Sequence, residues 1–333
     1  MEGNVNETQQ ATLLAGMEAG DRRSLARLIS VVENGSPGAS ACLARIYPQT
    51  GRAFRLGFTG PPGAGKSTLI DALVQRLRAD SKSVGVVAVD PSSPFTGGAL
   101  LGDRVRLSAT TPDDGVFFRS MATRGSIGGL AATTSEVSDV LDAYGMEVIL
   151  LETVGVGQIE LDVVAASECT VVVLVPESGD EVQAMKAGLM EIGDIFVLNK
   201  SDREGADRAM RELESGLELR SSRDSSWRPL LVKTVAATGE GTAELLAAVE
   251  RFRKHQKDTG EGNARRRRVL REKIRAAAER SLRHELWTAS GRGSLEDAVD
   301  QVLSGDGNPY ELAAAMARRF AMNRGTSERE REG

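Results

Sequence analysis

Short apolar runs alternate with longer amphipathic stretches through the middle of this chain of 333 residues. Runs rich in valine, leucine and isoleucine predict buried β-strands, because each run is short and is bounded by turn-forming residues. The predicted strands cover residues 54–59, 84–89, 147–151, 170–175, 194–198 and 229–235. The stretches between them place apolar residues at helical spacing, as in residues 69–77. This alternation predicts an α/β fold with a mostly parallel, doubly wound sheet.

The two ends of the chain show helical periodicity without strand signals. Residues 1–50 predict an N-terminal helical extension, and residues 51–250 form the alternating α/β region. Residues 251–322 are charged and helical in pattern, and residues 323–333 are polar enough to predict a disordered tail. The arginine run at 265–268 opens a helix, where a solvated or partner-contacting face is favoured over a nucleic-acid site.

The composition is typical of a globular protein with an aliphatic core. Hydrophobic residues make up 41% of the chain and aromatic residues 4%, so alanine and aliphatic residues must supply the packing. The formal net charge of −5 gives no bias toward nucleic acid or membrane surfaces. Neither a membrane span nor a signal-peptide core is evident, which favours a cytoplasmic protein. The two cysteines, Cys42 and Cys169, lack metal-ligand spacing and are expected to be small buried side chains.

The segment GPPGAGKST at residues 60–68 fits the phosphate-binding pattern G-x-x-x-x-G-K-[ST]. It follows a predicted strand and precedes a predicted helix, which is the context that a P-loop requires. Its glycines let backbone N–H groups point at phosphate oxygens, and the helix N-terminus adds partial positive charge. A lysine here reaches the β- and γ-phosphates, and a serine hydroxyl ligates Mg²⁺. The predicted nucleotide-binding residues of this loop are Gly63, Ala64, Gly65, Lys66, Ser67 and Thr68.

The segment Asn199-Lys200-Ser201-Asp202 follows the predicted strand 194–198 and points to a guanine base. The carboxylate of Asp202 can accept hydrogen bonds from both N1–H and the 2-amino group of guanine. Adenine has no such donor pair, so a buried site would leave the carboxylate unpaired. Placed downstream of a P-loop, this segment favours GTP and GDP over adenine nucleotides.

Two acidic positions at predicted strand ends and one in a glycine-rich segment are candidate Mg²⁺ ligands, because Mg²⁺ prefers hard oxygen donors. Asp90 ends the strand 84–89, and Asp103 lies in a glycine-rich segment where a plain loop acid is the alternative. Glu152 follows the strand 147–151, three residues before Gly155, whose N–H can bond the γ-phosphate. An aspartate is usual at this position, and glutamate reaches one methylene further. The predicted metal ligands are therefore Ser67, Asp90, Asp103 and Glu152.

Several long segments of the chain resemble the MeaB/ArgK/MMAA family of P-loop GTPases. They read VDPSSP, GGALLGDR, FFRSMATRGSIGG, ETVGVGQIE and GDEVQAMKAGLMEIGDIFVLNKSD, and the resemblance runs from about residue 10 to about residue 320. It implies a P-loop NTPase fold with helical extensions at both ends and a homodimer formed through residues 251–322. It also implies a chaperone that uses GTP to gate loading, protection or reactivation of an adenosylcobalamin-dependent acyl-CoA mutase. The implied clients are methylmalonyl-CoA mutase and its isobutyryl-CoA and 2-hydroxyisobutyryl-CoA relatives.

The resemblance also assigns roles to individual residues. Gly155 and Gln158 fall in the switch after Glu152, and residues 179–186 match a third switch that meets the mutase. A lysine in that switch would stabilise developing charge on the γ-phosphate, as an arginine finger does. The residues implied in catalysis are Lys66, Glu152, Gln158, Gln183 and Lys186, and those implied in guanine binding are Asn199, Lys200, Asp202 and Ala236.

One segment departs from the family pattern. Members usually carry Ser-Ala where this chain has Thr234-Val235-Ala236. The N–H of Ala236 is still expected to donate to guanine O6, but Val235 lacks the hydroxyl that would brace the loop. The sequence therefore predicts unchanged base identity and lower affinity.

Two alternatives stay open at this stage. Some relatives are described as amino-acid transport kinases, and related P-loop proteins are metallochaperones. Neither His255 nor His284 lies in Asp-x-His-x-x-Gly, the pattern that ligates cobalamin in the mutases. Cobalamin is therefore expected on the partner, and GTP hydrolysis is expected to be slow until the partner docks.

Overall fold

A computed structural model describes residues 7–36, 38–90, 113–122, 130–153, 165–177, 189–218, 226–289 and 291–329. The chain divides into two compact units, Met1–Leu270 and Arg271–Gly333. The expected boundary at residue 250 lies before this division, because a further helix and the start of the next one belong to the first unit.

Seven strands from the described residues form one sheet, and every neighbouring pair of strands is parallel. The order across the sheet is β3-β2-β4-β1-β5-β6-β7. The strands are β1 Phe54–Thr59, β2 Val84–Asp90, β3 Val116–Ala122, β4 Val148–Thr153, β5 Cys169–Leu174, β6 Ile195–Asn199 and β7 Leu230–Thr234. The doubly wound α/β prediction is confirmed, and the sheet is parallel throughout its described strands.

The described helices precede, connect and follow these strands. In the first unit they are α1 Glu7–Glu18, α2 Arg22–Glu33, α3 Ala39–Ile46, α4 Lys66–Ala79, α5 Leu130–Tyr144, α6 Ala206–Glu218 and α7 Thr242–Thr259. Helix α8 Glu261–Ala289 crosses the boundary between the units, and α9 Gly291–Ser304 and α10 Pro309–Arg329 follow it.

Successive side chains of a strand point to opposite faces of the sheet. Both faces carry apolar side chains, and helices cover both. Phe58 packs in a cluster with α4 and α7, whereas Leu151 packs on the other face with α2 and α5. A third cluster places α6 over β5 and β6. Both cysteines are free and buried, as predicted, and burial raises the pKa of the Cys169 thiol well above its ordinary value.

Strand β3 is absent from the predicted set, because a polar pair, Arg119 and Ser120, interrupts its apolar pattern. The structure satisfies Arg119 through α2: its guanidinium pairs with Glu33 and donates to the hydroxyl of Ser30. The side chain of Arg22 donates to two carbonyl oxygens at the start of β3, those of Asp114 at 2.7 Å and Val116 at 2.5 Å. The N-terminal helices are therefore part of the first unit.

A buried ionic group joins the chain after α3 to α5. The carboxylate of Asp142 accepts backbone N–H bonds from Gly51 at 2.7 Å and Ala53 at 3.0 Å. The guanidinium of Arg55 reaches both Asp142 and Asp139, at 3.3 Å and 2.9 Å. The start of β1 is thereby fixed to α5 by charge-assisted bonds away from solvent.

The first residues of α8 attach to the sheet through Asp194, which precedes β6. The Arg265 guanidinium donates to the Asp194 carboxylate at 2.8 Å, so the first residue of the arginine run is an internal anchor. The indole N–H of Trp227 donates to the Asp194 carbonyl at 2.9 Å. Its ring packs edge-on against Phe252 of α7, with centroids 5.0 Å apart. These contacts explain why the first unit extends past residue 250.

The second unit is helical in its described residues. Large apolar side chains are exposed on all three of its helices, including Ile274, Leu303 and Tyr310. Helix α10 runs to Arg329, so residues 323–329 are helical where the sequence predicted a disordered tail. These residues are polar but contain no proline that would end a helix. No helix among the described residues combines the length and hydropathy of a membrane span.

Candidate nucleotide-binding site

The P-loop connects the carboxyl end of β1 to the first turn of α4. Gly60 has φ 135°, and a side-chain carbon there would lie 2.1 Å from the carbonyl oxygen of Val173. Gly65 has φ 87°, and a side-chain carbon there would lie 2.4 Å from the amide nitrogen of Asn199. Both positions therefore require glycine. Helix α4 begins at Lys66 with no side-chain cap, so its first N–H groups are available to an anion.

The ammonium group of Lys66 is buried and lies over the loop that precedes it. It donates to the carbonyl oxygens of Gly60 at 2.7 Å and Pro61 at 3.2 Å. A cation held beside free helix N–H groups is the arrangement that binds phosphate oxygens.

The side chains of Ser67 and Glu152 meet beside the P-loop. The Ser67 hydroxyl donates to Oε1 of Glu152 at 2.5 Å, and the Glu152 side chain is buried. Glu152 lies in β4 opposite Phe58 of β1, which brings the acid to the loop that β1 enters. A hydroxyl and a carboxylate are hard oxygen donors, so this pair suits Mg²⁺.

Asn199, at the end of β6, links the P-loop to the segment after β7. Its amide nitrogen donates to the Ala64 carbonyl at 2.8 Å. Its amide oxygen accepts from the Thr234 hydroxyl at 3.1 Å and from the N–H of Ala236 at 3.0 Å. The side chain is buried, so these charge-neutral bonds act without competition from water.

Lys200 and Ser201 fix the loop that follows β6. Lys200 has φ 55°, unusual for a residue with a side chain, and its ammonium donates to the Gly63 carbonyl at 2.9 Å. The N–H and the hydroxyl of Ser201 both donate to the Thr234 carbonyl, each at 3.1 Å. The following residue, Asp202, is exposed at the surface.

The segment after β7 is braced by its own backbone. The N–H of Val235 donates to the Glu240 carbonyl at 3.0 Å, and the N–H of Thr238 donates to the Val235 carbonyl at 3.0 Å. Val235 lacks the hydroxyl that was expected to brace this loop. These two backbone hydrogen bonds brace it instead. The N–H of Ala236 is already bonded to Asn199, so donation to guanine O6 requires that bond to be shared or released.

The structure brings the P-loop residues Gly63–Thr68, Glu152 and the segment Asn199–Asp202 to the carboxyl edge of one sheet. Ligands bind at this edge in open parallel sheets. Asp90 ends β2, and its side chain lies outside the described part of the molecule. Five other predicted site residues also lie outside the described residues: Asp103, Gly155, Gln158, Gln183 and Lys186.

Sequence reasoning missed one contribution to the site. The hydroxyl of Thr234 donates to the amide oxygen of Asn199 at 3.1 Å. The signal for it is a hydroxyl residue at the end of β7, which can be recognised only when the register of Asn199 with Thr234 is known.

Comparisons with known proteins agree with this architecture. The family model described as "Methylmalonyl Co-A mutase-associated GTPase MeaB" matches residues 25–291. A putative GTPase of Pyrococcus abyssi (strain GE5 / Orsay) is 48% identical over 303 residues, which cover 90% of this chain and 94% of that protein.

Two further relatives extend the comparison. The mitochondrial methylmalonic aciduria type A homolog of Mus musculus is 34% identical over 292 residues, 83% of this chain and 67% of that protein. The crystal structure of an LAO/AO transport system kinase superposes with a TM-score of 0.68 at 25% identity, covering 96% of this chain and 100% of that one.

The family match spans the P-loop, Glu152 at the end of β4 and the segment Asn199–Asp202, and it confirms the resemblance seen in the sequence. The relative from Pyrococcus abyssi is itself named a putative GTPase, and the LAO/AO transport system kinase shares the fold. The chain therefore belongs to the methylmalonyl Co-A mutase-associated GTPase MeaB family and is a P-loop GTPase, an enzyme that hydrolyses GTP to GDP and phosphate.

Proposed function

We propose that this GTPase uses its nucleotide cycle to gate the loading, protection or reactivation of an adenosylcobalamin-dependent acyl-CoA mutase. The match of residues 25–291 to a family named for its association with methylmalonyl-CoA mutase carries this proposal. Methylmalonyl-CoA mutase and the isobutyryl-CoA and 2-hydroxyisobutyryl-CoA mutases are the candidate partners. In this scheme the mutase binds cobalamin, and GTP hydrolysis by this chain determines when the cofactor is loaded, protected or replaced.

The phosphate end of the site supports nucleotide-dependent chemistry. Lys66 exchanges its bonds to the Gly60 and Pro61 carbonyls for bonds to the β- and γ-phosphates. Ser67 and Glu152 would hold Mg²⁺, together with Asp90 and Asp103, and the ion when bound neutralises charge on the phosphate oxygens. The Ser67–Glu152 contact supports this assignment, because it places two oxygen donors at the start of α4.

Hydrolysis proceeds by in-line attack of water on the γ-phosphate. By family resemblance, the Gly155 N–H and Gln158 contact the γ-phosphate side, and Gln183 and Lys186 complete the site when the mutase docks. Turnover by the free enzyme is slow in this scheme. Coupling then requires the mutase to bind the GTP and GDP states with different affinities.

The base end of the site selects guanine. Asp202 accepts from the N1–H and 2-amino groups, Lys200 holds its loop to the Gly63 carbonyl, and Asn199 fixes both segments to the P-loop. The bonds from Asn199 to Ala64, Thr234 and Ala236 support this arrangement, because they hold the base loop at a fixed distance from the phosphate loop.

The second unit supplies the contacts of a homodimer. Ile274, Leu303 and Tyr310 expose apolar surface within the single chain, and a second copy would cover it.

The decisive experiment measures GTP and ATP turnover by the purified protein, with and without a cobalamin-dependent acyl-CoA mutase from the same genome. The expected result is slow, GTP-selective hydrolysis that rises strongly when the mutase is added. Lys66→Ala serves as the matched control, because it removes the phosphate cation and must abolish both rates. A GTP hydrolysis rate that no mutase of the genome changes would overturn the chaperone function, but it would not affect the assignment as a GTPase.

A second candidate function is transfer of phosphate to an acceptor. It is favoured by one observation, the close superposition on a protein described as a transport system kinase. Incubation with γ-labelled GTP and candidate amino-acid-binding proteins decides between the two. Label on an acceptor favours the kinase, and label released only as inorganic phosphate favours the chaperone.

A further inference from the structure

The loop after β6 places a carboxylate between two cations. Lys200 and Arg203 flank Asp202, whose two oxygens are the expected acceptors for guanine. An arginine guanidinium pairs readily with a carboxylate through two parallel hydrogen bonds. Arg203 is therefore a natural competitor for the same oxygens that the base needs.

In the structure the guanidinium of Arg203 is paired with a different carboxylate. Its Nη1 donates to Oε1 of Glu177 at 2.5 Å. Glu177 follows β5, which is the neighbour of β6 in the sheet, so the partner comes from the adjacent strand end. The hydrogen bond from Arg203 holds the pKa of Glu177 below its ordinary value, and the nearby charge of Lys200 lowers it further.

The backbone of the loop restricts Arg203 to a position from which it can pair with either Glu177 or Asp202. Ser201 is fixed to the Thr234 carbonyl by two bonds, and Ala206 begins α6, so the positions of residues 202 and 203 are restricted from both sides. The charge of Asp202 also acts on Arg203 and raises the pKa of its guanidinium, after the larger effect of Glu177. Asp202 and Arg203 are consecutive residues, so the Arg203 side chain can reach the Asp202 carboxylate when Glu177 does not hold it.

We propose that Glu177 is a specificity-determining residue for the guanine base. Its carboxylate holds the Arg203 guanidinium away from Asp202, so that both Asp202 oxygens remain available to guanine N1–H and its 2-amino group. This inference rests on the proposed role of Asp202 in base recognition. It makes Glu177 a positioning residue that acts through Arg203, with no direct contact to the nucleotide.

If Glu177 acts through Arg203, the variants should show a pattern of GDP affinities that an ordinary surface ion pair would not give. Both side chains are about half exposed, at 48% for Arg203 and 50% for Glu177, so the pair itself contributes little to the fold. Glu177→Gln should nevertheless weaken GDP binding about three- to tenfold, because it releases Arg203 onto Asp202. Arg203→Gln should bind GDP like the parent chain, because it removes the competitor.

The double variant Glu177→Gln/Arg203→Gln gives the sharpest readout. Under the proposal it recovers GDP affinity to within about twofold of the parent chain, since no guanidinium remains to occupy Asp202. A merely structural pair would make both single variants equally weak and the double variant no better, and that outcome overturns the proposal. Titration with a fluorescent GDP analogue measures all four proteins.

Two further measurements separate the base from the rest of the site. Inorganic tripolyphosphate has no base, so its affinity should be the same in the parent chain and in Glu177→Gln. A parallel loss of tripolyphosphate affinity would show general damage and overturn the proposal. Thermal unfolding of the same variants without nucleotide should give equal midpoints, whereas a lowered midpoint in Glu177→Gln alone would also count against it.

Asp202→Asn distinguishes failure of this inference from failure of the base assignment. That variant should prefer xanthosine diphosphate to GDP, and in its background Glu177→Gln should have no effect on xanthosine diphosphate affinity, because the substituted amide carries no charge for Arg203 to neutralise. An unchanged GDP preference in Asp202→Asn overturns the base assignment itself. A switched preference together with normal GDP binding by Glu177→Gln overturns only the role of Glu177.

Discussion

The helices before the sheet and the helices after it are both indicated by helical patterns in the sequence, but they bury very different amounts of apolar surface. In α2 the residues Leu25, Leu28 and Ile29 are fully buried against α5 and the sheet. In the second unit Leu303 and Tyr310 are 80% and 86% exposed. A helical period indicates that one face is apolar, and only the rest of the structure shows what covers that face.

The difference in burial indicates different roles for the N-terminal and the C-terminal helices. Helices α1–α3 act as part of the first unit, because Arg22, Arg119 and Asp142 tie them and the following segment to β3 and α5. Apolar surface exposed on a single chain is typical of an interface. The N-terminal extension thus stabilises the fold, and we expect the C-terminal one to act in assembly.

The largest expected effect on the N-terminal side comes from Asp142→Ala. The change leaves the Gly51 and Ala53 N–H groups without their acceptor and removes one of the two carboxylates that face Arg55. The free energy of unfolding should fall by about 3–5 kcal/mol, the usual loss when one partner of a buried charged group is removed. Urea denaturation measures it, with the exposed Asp258→Ala as the control; equal values for the two would show that the junction is not stabilised in this way.

A matched pair of leucine truncations tests the comparison directly. Leu28→Ala should destabilise the chain by roughly 2–5 kcal/mol, because it opens a cavity in a packed cluster. Leu303→Ala should change the free energy of unfolding of the monomer, measured at concentrations too low for dimerisation, by less than about 0.5 kcal/mol, because the side chain is mostly exposed in the single chain. Similar losses for the two variants would remove the distinction between the extensions.

A charged residue on the exposed apolar face of the second unit should weaken self-association of the chain without unfolding it. Leu303→Glu is expected to weaken self-association at least about tenfold, since it buries a carboxylate in an apolar interface. Sedimentation at several concentrations should then give the 35.4 kDa mass of one chain, where the parent sediments as a dimer. A parent chain that is monomeric at all concentrations would refute the dimer itself.

The smallest expected effect concerns the cap of α2. The Asp21 carboxylate accepts from the Ser24 hydroxyl and from the N–H groups of Ser24 and Arg23, and these bonds hold its pKa below the ordinary value. A lowered pKa stabilises the fold above the unfolded-state value of about 3.9 and loses that contribution as pH falls further. The stability difference between the parent and Asp21→Ala should therefore shrink between pH 5 and pH 3; a constant difference would argue against the carboxylate.

Six of the seven described strands and the P-loop could be predicted, because their signals are local. The glycines, Lys66 and Ser67 lie within one short segment, and the apolar runs of β2 and β6 need no distant partner to be recognised. Strand β3 could not be predicted, because its Arg119 is satisfied by Glu33 and Ser30 of α2, which lie 86 and 89 positions earlier in the chain. The same holds for the buried bonds of Asp142, which join segments that are distant in sequence.

The proposed base site shows the same limit. Asn199, Lys200 and Asp202 are indicated by a short motif, but the hydrogen bond from Thr234 depends on the register of β6 with β7. The sequence predicts donation from the Ala236 N–H to guanine, whereas in the structure this N–H donates to the Asn199 amide oxygen, a contact that no local pattern indicates. Local sequence identifies the groups that contact a ligand, whereas the groups that orient them are found only when strands are paired.

The position of Trp227 has an optical consequence. The chain has two tryptophans: Trp227 is packed between Phe252 and His255 in the first unit, and Trp287 is 43% exposed in the second. Replacing either one by phenylalanine leaves a single intrinsic fluorophore in the other unit. Emission from Trp227 then reports on the packing that anchors the first turns of α8, and emission from Trp287 reports on what covers the second unit, without any added label.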